Sequence, residues 1–142
     1  MECKVVPLRH EHLATWNIPL DIERAYMSPG SVAYCLLADG EPVFAGGVVN
    51  LQWSRGEAWM LPTPWFRNNV RTCFRFIKKM VPEMARAGGF KRLQATCSII
   101  KADALAEIKA VRTVSHLGFL YEGTMKQYGP NGETCHMYAR IF

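Results

Sequence analysis

Positively charged side chains are the first group in this sequence that could do chemistry. The chain has 142 residues and a net charge of +5. Residues 67 to 92 alone carry +7, because eight lysines and arginines stand there against a single acid, Glu83. Concentrated positive charge favours a partner that carries phosphate. A solvated helix face would have the same composition, so the charge needs a second observation before it indicates a binding site.

Cysteine and histidine side chains could form disulfides or bind a metal, but their spacing argues against both. The five cysteines are Cys3, Cys35, Cys73, Cys97 and Cys135. They lie 24 to 38 residues apart without a Cys-x-x-Cys pair, whereas disulfide frameworks and zinc sites use closer, paired spacings. His10 and His12 could face the same way on a strand, but they lack a third ligand. We therefore predict buried, reduced thiols and no metal.

Length and composition predict one folded domain over residues 1–142. Hydrophobic residues make up 49% and charged residues 20% of the chain, which excludes a disordered or fibrous protein. The longest run without a charged residue is 14 residues, from Ala25 to Ala38, whereas a membrane-spanning helix needs about 20 apolar residues. Charges at Glu2 and Lys4 stand where a signal peptide would be apolar. These features predict a cytoplasmic protein without a membrane segment.

Seven segments have the composition of β-strands. They cover residues 3–8, 31–38, 43–51, 57–61, 92–99, 119–128 and 134–141. Short helical signals lie between residues 9 and 27, and longer helices are predicted before residue 92 and from Asp103 to about Leu117. Because both strand–helix–strand units require parallel crossovers, we predict an α/β (α+β) domain with a mixed sheet.

The central helix has the clearest period in the chain. Apolar residues recur at helical spacing from Val70 to Val81, and cations occupy the other side. Asn68 or Asn69 could cap its start. Pro82 predicts a kink or a restart, because proline removes a backbone donor, and Gly88-Gly89 is a typical helix end.

The C-terminal part of the sequence contains a recognisable series of motifs. They are Ala110-x-x-x-Val114-x-x-Leu117-Gly118-Phe119, Glu122-Gly123, Tyr128-Gly129-Pro130-Asn131-Gly132 and the ending Met137-Tyr138-Ala139-Arg140. This series resembles the C-terminal half of GNAT N-acetyltransferases, and the order of elements over the whole chain is similar to theirs. The compact form also resembles, more faintly, small acetyltransferase-like proteins of tailed bacteriophages, whose location would be the host cytoplasm or the virion.

The resemblance implies a fold and a co-substrate. The fold would be one GNAT-like acyltransferase domain, a mixed, mostly antiparallel seven-strand sheet flanked by helices and splayed between its central parallel strands. Acetyl-CoA would bind with its pyrophosphate at the start of the central helix, where free N–H groups and the helix dipole favour an anion. The corresponding residues are Arg67, Asn68, Asn69, Val70 and Arg71. The preceding strand would offer a backbone N–H, here that of Leu61, to the thioester carbonyl.

Three positions depart from the family pattern. The phosphate loop (Gln or Arg)-x-x-Gly-x-(Gly or Ala) falls on Arg67-x-x-Val70-x-Thr72, which lacks the glycines that let the backbone approach phosphate closely. An Asn common near the start of the next helix falls on Glu107. The Tyr that commonly protonates the leaving thiolate falls on Val114.

Two other residues could supply the acid–base chemistry. Glu57 lies on the strand where some GNAT members keep a general base, which takes the proton of the attacking ammonium. Tyr128 could protonate the leaving thiolate, and His116 better fits a helix end, where a cation suits the dipole. Glu57 could instead be a solvent-facing strand residue, and Tyr128 a packed turn residue. We expect four aromatic residues to line the thioester pocket: Trp53, Trp59, Trp65 and Phe66.

Three functions are compatible with these observations. The first is an acetyl-CoA-dependent N-acyltransferase in which an amine, a small molecule or a protein, attacks the thioester directly. The second is a catalytically silent binding or structural protein of the same fold, for instance in a phage particle. The third is a nucleic-acid-binding module, but the chain lacks the motifs of such modules, so we expect no nucleic-acid partner. The sequence leaves open whether the protein is a monomer or a homodimer.

Overall fold

The structure is a computed structural model that describes residues 2–98 and 104–142, with the side chains of Ser98 and of residues 104–108 excepted. The strands are β1 (Cys3–Pro7), β2 (Val32–Ala38), β3 (Glu41–Asn50), β4 (Arg55–Pro62), β5 (Arg92–Ser98), β6 (Leu120–Met125) and β7 (Cys135–Ile141). The α-helices are α1 (Leu20–Tyr26), α2 (Pro64–Asn68), α3 (Val70–Gly88) and α4 (Ala104–His116), and a 3-10 helix covers His10–Thr15.

The seven strands form one sheet in the order β1-β2-β3-β4-β5-β7-β6. Within the described strands, β4 and β5 are parallel and all other neighbours are antiparallel. The predicted mixed, mostly antiparallel sheet is therefore confirmed. The crossover through α3 makes the parallel pair, whereas the crossover through α4 joins strands that run the same way but have β7 between them.

The two central strands separate soon after they begin. Bridges between them extend only from Arg55↔Arg92 to Glu57↔Gln94, although β4 continues to Pro62 and β5 to Ser98. The predicted splay between the central parallel strands is confirmed. It opens a gap in the middle of the sheet at the carboxyl ends of both strands.

Helices cover the two faces of the sheet and build two cores. The apolar stripe of α3, which includes Cys73, Ile77 and Val81, packs in the larger core against one face. The smaller core lies on the other face, where Leu13 of the 3-10 helix and Tyr26 of α1 pack with residues of β2 to β4. The lysines and arginines of α3 lie outside this stripe and are exposed, as the helical period predicts.

The start and middle of α3 differ from the sequence predictions. The helix continues through Pro82 to Gly88, so the predicted restart is wrong. The carbonyl that loses its partner is that of Lys78, four residues earlier, and this exposed position lets water replace the bond. Asn69 occupies the N-cap position, but its side chain makes no capping bond and instead donates from Nδ2 to the Trp65 carbonyl at 2.9 Å. The end is as predicted, since Gly89 adopts a left-handed backbone with φ of 67°.

The final hairpin opens earlier than predicted. β6 ends at Met125, and Gln127 has a left-handed backbone with φ of 52°. The Tyr128 N–H then donates to the Glu133 carbonyl across the turn at 3.2 Å. Tyr128 therefore lies in the turn and not on a strand.

Candidate active site

A cavity of about 690 Å³ lies at the gap between β4 and β5. Side chains from these strands, from β2 and β3 and from α3 and α4 line it, and most of them are apolar. The charged or hydroxyl-bearing side chains among the described lining residues are Tyr34, Glu57, Thr96, Lys109 and Thr113. A mainly apolar cavity with a few polar groups is typical of a small-molecule site.

The backbone of β4 determines which N–H group faces this gap. In an antiparallel pair, alternate residues direct both backbone groups at the partner strand. The Leu51 N–H donates to the Arg55 carbonyl at 3.0 Å, and the register continues without a shift to Ala45↔Leu61. Leu61 therefore directs its N–H at β3 and cannot present it to the gap, contrary to the contact implied by the resemblance.

Met60 takes the position that sequence reasoning gave to Leu61. Even-numbered residues of this segment face β5, as the Ser54 carbonyl illustrates by accepting the Arg92 N–H at 3.2 Å. The last bridge between the strands, Glu57↔Gln94, uses the N–H of Ala58. Met60 follows it, and its N–H has no ladder partner in the described part of β5. An N–H group in this position can stabilise negative charge on a carbonyl oxygen.

Glu57 lies at the same gap, beside two side chains of β5. Gln94 donates from Nε2 to Oε2 of the carboxylate at 2.9 Å, and Thr96 donates from Oγ1 to Oε1 at 3.4 Å. Burial raises the pKa of Glu57 above its ordinary value of 4.5, while the two hydrogen bonds and nearby Arg92 act in the opposite direction. A partly buried carboxylate that lines a cavity is suited to accepting a proton from a substrate.

An ion pair between Arg92 of β5 and Glu122 of β6 orients Gln94. Arg92 donates from Nε to the Gln94 oxygen at 3.5 Å, and its guanidinium donates twice to the Glu122 carboxylate, at 2.9 and 2.5 Å. Because the Gln94 oxygen faces Arg92, its Nε2 faces Glu57. Sequence reasoning missed Gln94 and Thr96, although their alternation on the predicted strand 92–99 places both on one face.

The cations predicted to bind phosphate lie at the junction of α2 and α3. Arg67, Asn68 and Arg71 are exposed, and neither arginine has an ion-pair partner among the described residues. These residues lie outside the lining of the cavity, which reaches Pro62 at the end of β4. Since α2 begins at Pro64, the cations follow directly along the chain from the gap.

The backbone at this junction supplies donors from α3 and not from Asn69. The Asn69 N–H already donates to the Phe66 carbonyl at 3.1 Å. The first N–H groups of a helix, here those of Val70, Arg71 and Thr72, have no acceptor within the helix. The Val70 side chain is 40% exposed, so it faces solvent beside these donors. Free N–H groups at the positive end of a helix dipole favour an anion.

The structure does not bring Tyr128 to the cavity. The side chain is 52% exposed in the turn between β6 and β7, and it is not among the described lining residues. Val114 does line the cavity at the position where GNAT members commonly have a tyrosine, but its side chain holds no proton to donate. The side chain of Glu107 and the predicted helix cap Asp103 lie outside the described residues.

The four aromatic residues predicted to line the pocket do not stay together. Trp59 lines the cavity and stacks on Tyr26, with ring centroids 3.6 Å apart and planes inclined by 5°. Trp65 and Phe66 pack against the larger core instead. Trp53 is 85% exposed in the β3–β4 loop, where the Arg55 guanidinium lies over its ring.

The cysteine side chains lie mainly in the interior of the protein. Four of the five cysteines are buried and Cys3 is half-buried. Burial raises the pKa of the Cys35 and Cys73 thiols to about 11.

His116 is exposed in the last turn of α4. Among the described residues no group of three or more ligating side chains could hold a metal ion. The helices in the described ranges do not reach the length and hydrophobicity that spanning a membrane requires.

Comparison with solved structures identifies the architecture. The chain is similar to the acetyltransferase of the GNAT family from Streptococcus pneumoniae, with a TM-score of 0.74, 12% identity and 99% of each chain covered. A mutant form of the spermidine N-acetyltransferase from Vibrio cholerae has a TM-score of 0.74 and 11% identity over 98% of this chain and 93% of that one. The sequence matches no family model and no curated protein. The chain therefore has the GNAT fold, with little sequence identity to these structures.

Proposed function

We propose that this protein is an acetyl-CoA-dependent N-acyltransferase that transfers an acetyl group to an amine. The observation that supports it best is the gap between β4 and β5, where the Met60 N–H and the Glu57 carboxylate lie at one cavity. A backbone donor for a carbonyl and a base for an ammonium are the two groups that direct aminolysis of a thioester needs.

The residues around the gap also fit the parts of acetyl-CoA. The apolar cavity suits the pantetheine chain and the acetyl group. Its phosphates would bind at the start of α3, through the free N–H groups from Val70 onward and through Arg67 and Arg71. Bound acetyl-CoA would supply an activated acyl group on sulfur.

The proposed reaction needs one proton transfer by the protein. Glu57 accepts a proton from the ammonium, directly or through water, because only the neutral amine is a nucleophile. The bond from the amine nitrogen to the acetyl carbon forms, the carbon–sulfur bond breaks, and coenzyme A leaves as a thiolate. The nitrogen loses its second proton to solvent as it becomes an amide nitrogen, and the thiolate takes one proton from solvent. Gln94 and Thr96 keep the Glu57 carboxylate directed at the cavity.

One observation favours a second candidate, a coenzyme A-binding protein without transferase activity. Val114 replaces the common tyrosine, and Tyr128 is exposed in a turn away from the cavity lining. A leaving thiolate would then depend on solvent for its proton. Amine-dependent release of thiol from acetyl-CoA by the wild-type protein would show that it is an enzyme. Binding of coenzyme A without such release would show that it is a binding protein without transferase activity.

Calorimetric titration of coenzyme A tests the proposed site. Charge-assisted contacts with phosphate contribute about 1.5–3 kcal/mol each, and less when exposed. We therefore expect Arg67→Ala with Arg71→Ala to weaken binding by about ten- to a hundredfold. Lys78→Ala with Lys79→Ala is the matched control, since it removes the same charge two turns further along α3 and should leave affinity nearly unchanged.

Two results would count against this placement of the phosphates. One is equal affinity of the wild-type protein and the Arg67/Arg71 double variant. The other is an equal loss in both double variants, which would indicate attraction by net charge and not contact at the helix start. High salt should also weaken binding by the wild-type protein, because screening reduces attraction between exposed charges.

A further inference from the structure

The wall of the cavity formed by odd-numbered residues of β4 lies on the face of the sheet opposite α3. Trp59 belongs to the smaller core with Tyr26, whereas its neighbour Ala58 packs against the larger core with α3. Glu57 and Trp59 are two residues apart on one strand, so their side chains leave the same face. An amine that reaches Glu57 from this face therefore meets the indole of Trp59. We refer to Glu57 and Trp59 together as the acceptor wall.

The Trp59 ring is fixed and carries an unused donor. Its parallel stack on Tyr26, with centroids 3.6 Å apart, holds the plane of the indole. Its Nε1–H is buried and has no hydrogen-bond partner among the described residues. A buried unsatisfied donor costs about 1–3 kcal/mol, and such groups in native proteins call for an explanation. A ligand atom that accepts this hydrogen bond supplies one.

The charges around the cavity limit the charge of the acceptor. Glu57 is the one carboxylate and Lys109 the one cation among the described side chains that line it. A single carboxylate pairs with a single ammonium. Further positive charge on the acceptor would meet apolar lining, which is unfavourable.

We infer that the acceptor is a monoamine with a flat apolar body and a hydrogen-bond-accepting atom, and that the wall selects it against polyamines. The inference rests on the proposed function. The ammonium pairs with Glu57, and the flat body packs against the remaining surface of the Trp59 indole. The accepting atom reaches Nε1–H when the side chains that now cover this nitrogen move aside. Specificity against a polyamine follows because its additional charges find no partner in the described lining.

Calorimetric titration of the protein saturated with coenzyme A tests this inference, with tyramine and spermidine as probes. We expect tyramine to bind at least about tenfold more tightly than spermidine. Trp59→Leu removes the flat surface and the donor and should weaken tyramine binding by about ten- to a hundredfold. Trp59→Phe keeps a flat ring without the N–H and should lose less. Trp53→Leu, at the 85% exposed tryptophan, is the control and should bind tyramine as the wild type does.

Two outcomes would overturn the inference. Spermidine could bind as tightly as tyramine, or Trp59→Leu could leave tyramine affinity unchanged while circular dichroism shows a folded protein. The preceding titration with coenzyme A alone reports on the proposed function separately. If coenzyme A does not bind, the proposed function is wrong, and the same two probes titrated into the coenzyme-free protein still decide which amine the wall accepts.

Discussion

The surroundings of Glu57 destabilise its negative charge, because the effect of burial is larger than that of the groups that stabilise the carboxylate. Burial raises its pKa, and hydrogen bonds from Gln94 and Thr96 together with the charge of Arg92 lower it by less. Between 4.5 and its higher pKa in the folded protein, the folded state binds more protons at this residue than the unfolded state does. Glu57 therefore lowers the stability of the protein as pH rises through that range.

Replacing Glu57 with glutamine should accordingly stabilise the protein at neutral pH. The introduced side chain is uncharged, and its amide oxygen could still accept the bond from Gln94. We expect a higher Tm than the wild type at neutral pH and an equal Tm well below pH 4.5, where Glu57 is protonated in both states. Scanning calorimetry at both pH values checks this, with exposed Glu41→Gln as the control for loss of one charge. A lower Tm for Glu57→Gln at neutral pH would contradict the account.

Gln94 should act as a positioning residue whose effect appears in the pH dependence of turnover. Gln94→Leu removes a hydrogen bond to the charged carboxylate, worth about 1.5–3 kcal/mol, so the pKa of Glu57 should rise by about one to two pH units. The acid limb of the kcat/KM profile should move to higher pH by that amount. Thr96→Val should move it less, because its contact is longer at 3.4 Å.

Other groups near Glu57 set the background for this measurement. The charge of Arg92 acts on Glu57, Lys109 and Tyr34 line the same cavity, and Tyr26 stacks on the neighbouring Trp59. All four are unchanged in the Gln94 and Thr96 variants. Thr113→Val is the control, since Thr113 lines the cavity but donates to the Lys109 carbonyl and not to Glu57. A profile that moves equally in all three variants would remove the specific role of Gln94.

At the scale of elements, the separation of β4 from β5 makes the backbone of β4 part of the site. Proline at position 60 removes the N–H that faces the gap, and prolines are tolerated where no ladder bond is lost. We expect Met60→Pro to lower the rate of thiol release by about 10²–10³-fold, the usual loss for one oxyanion donor. Met60→Ala keeps the N–H and should retain most activity. Equal rates in the two variants would show that this N–H does not contact the thioester.

The elements themselves were largely predictable, whereas the contacts between them were less so. The apolar period of α3 from Val70 to Val81 indicated the helix and its buried face, because periodicity is a local property. The resemblance implies the N–H of Leu61 at the gap, but the Met60 N–H lies there, since the alternation of backbone direction depends on pairing with β3. The composition of residues 119–128 predicts a strand that includes Tyr128, but the backbone at Gln127 turns first.

At the scale of the whole molecule, the sequence motifs predicted the architecture better than the site. The order of strands and helices with the Leu117-Gly118-Phe119 series led to the GNAT fold, which the similarity to solved structures confirms. The placement of β7 between β5 and β6, and the contact of Gln94 with Glu57 across 37 residues, depend on long-range pairing. Such pairings cannot be read from the spacing of residues along one segment.

The positive charge of the chain is also organised at this scale. The net charge of +5 arises from the segment 67–92, which contains α3, while the rest of the chain is slightly acidic. The cavity opens beside that helix, so a negatively charged co-substrate would be attracted toward the side where the proposed phosphate contacts lie.

The measurement that tests the central claim most directly is amine-dependent release of thiol from acetyl-CoA by the wild-type protein and by Glu57→Gln. A missing general base typically costs 10²–10⁴-fold, so the variant should be slower by about that factor while its affinity for coenzyme A is unchanged. Release by the wild-type protein that depends on the amine, together with this loss, is the result that the account predicts. Equal rates in the two proteins, or no amine-dependent release by a wild-type protein that binds coenzyme A, would contradict it.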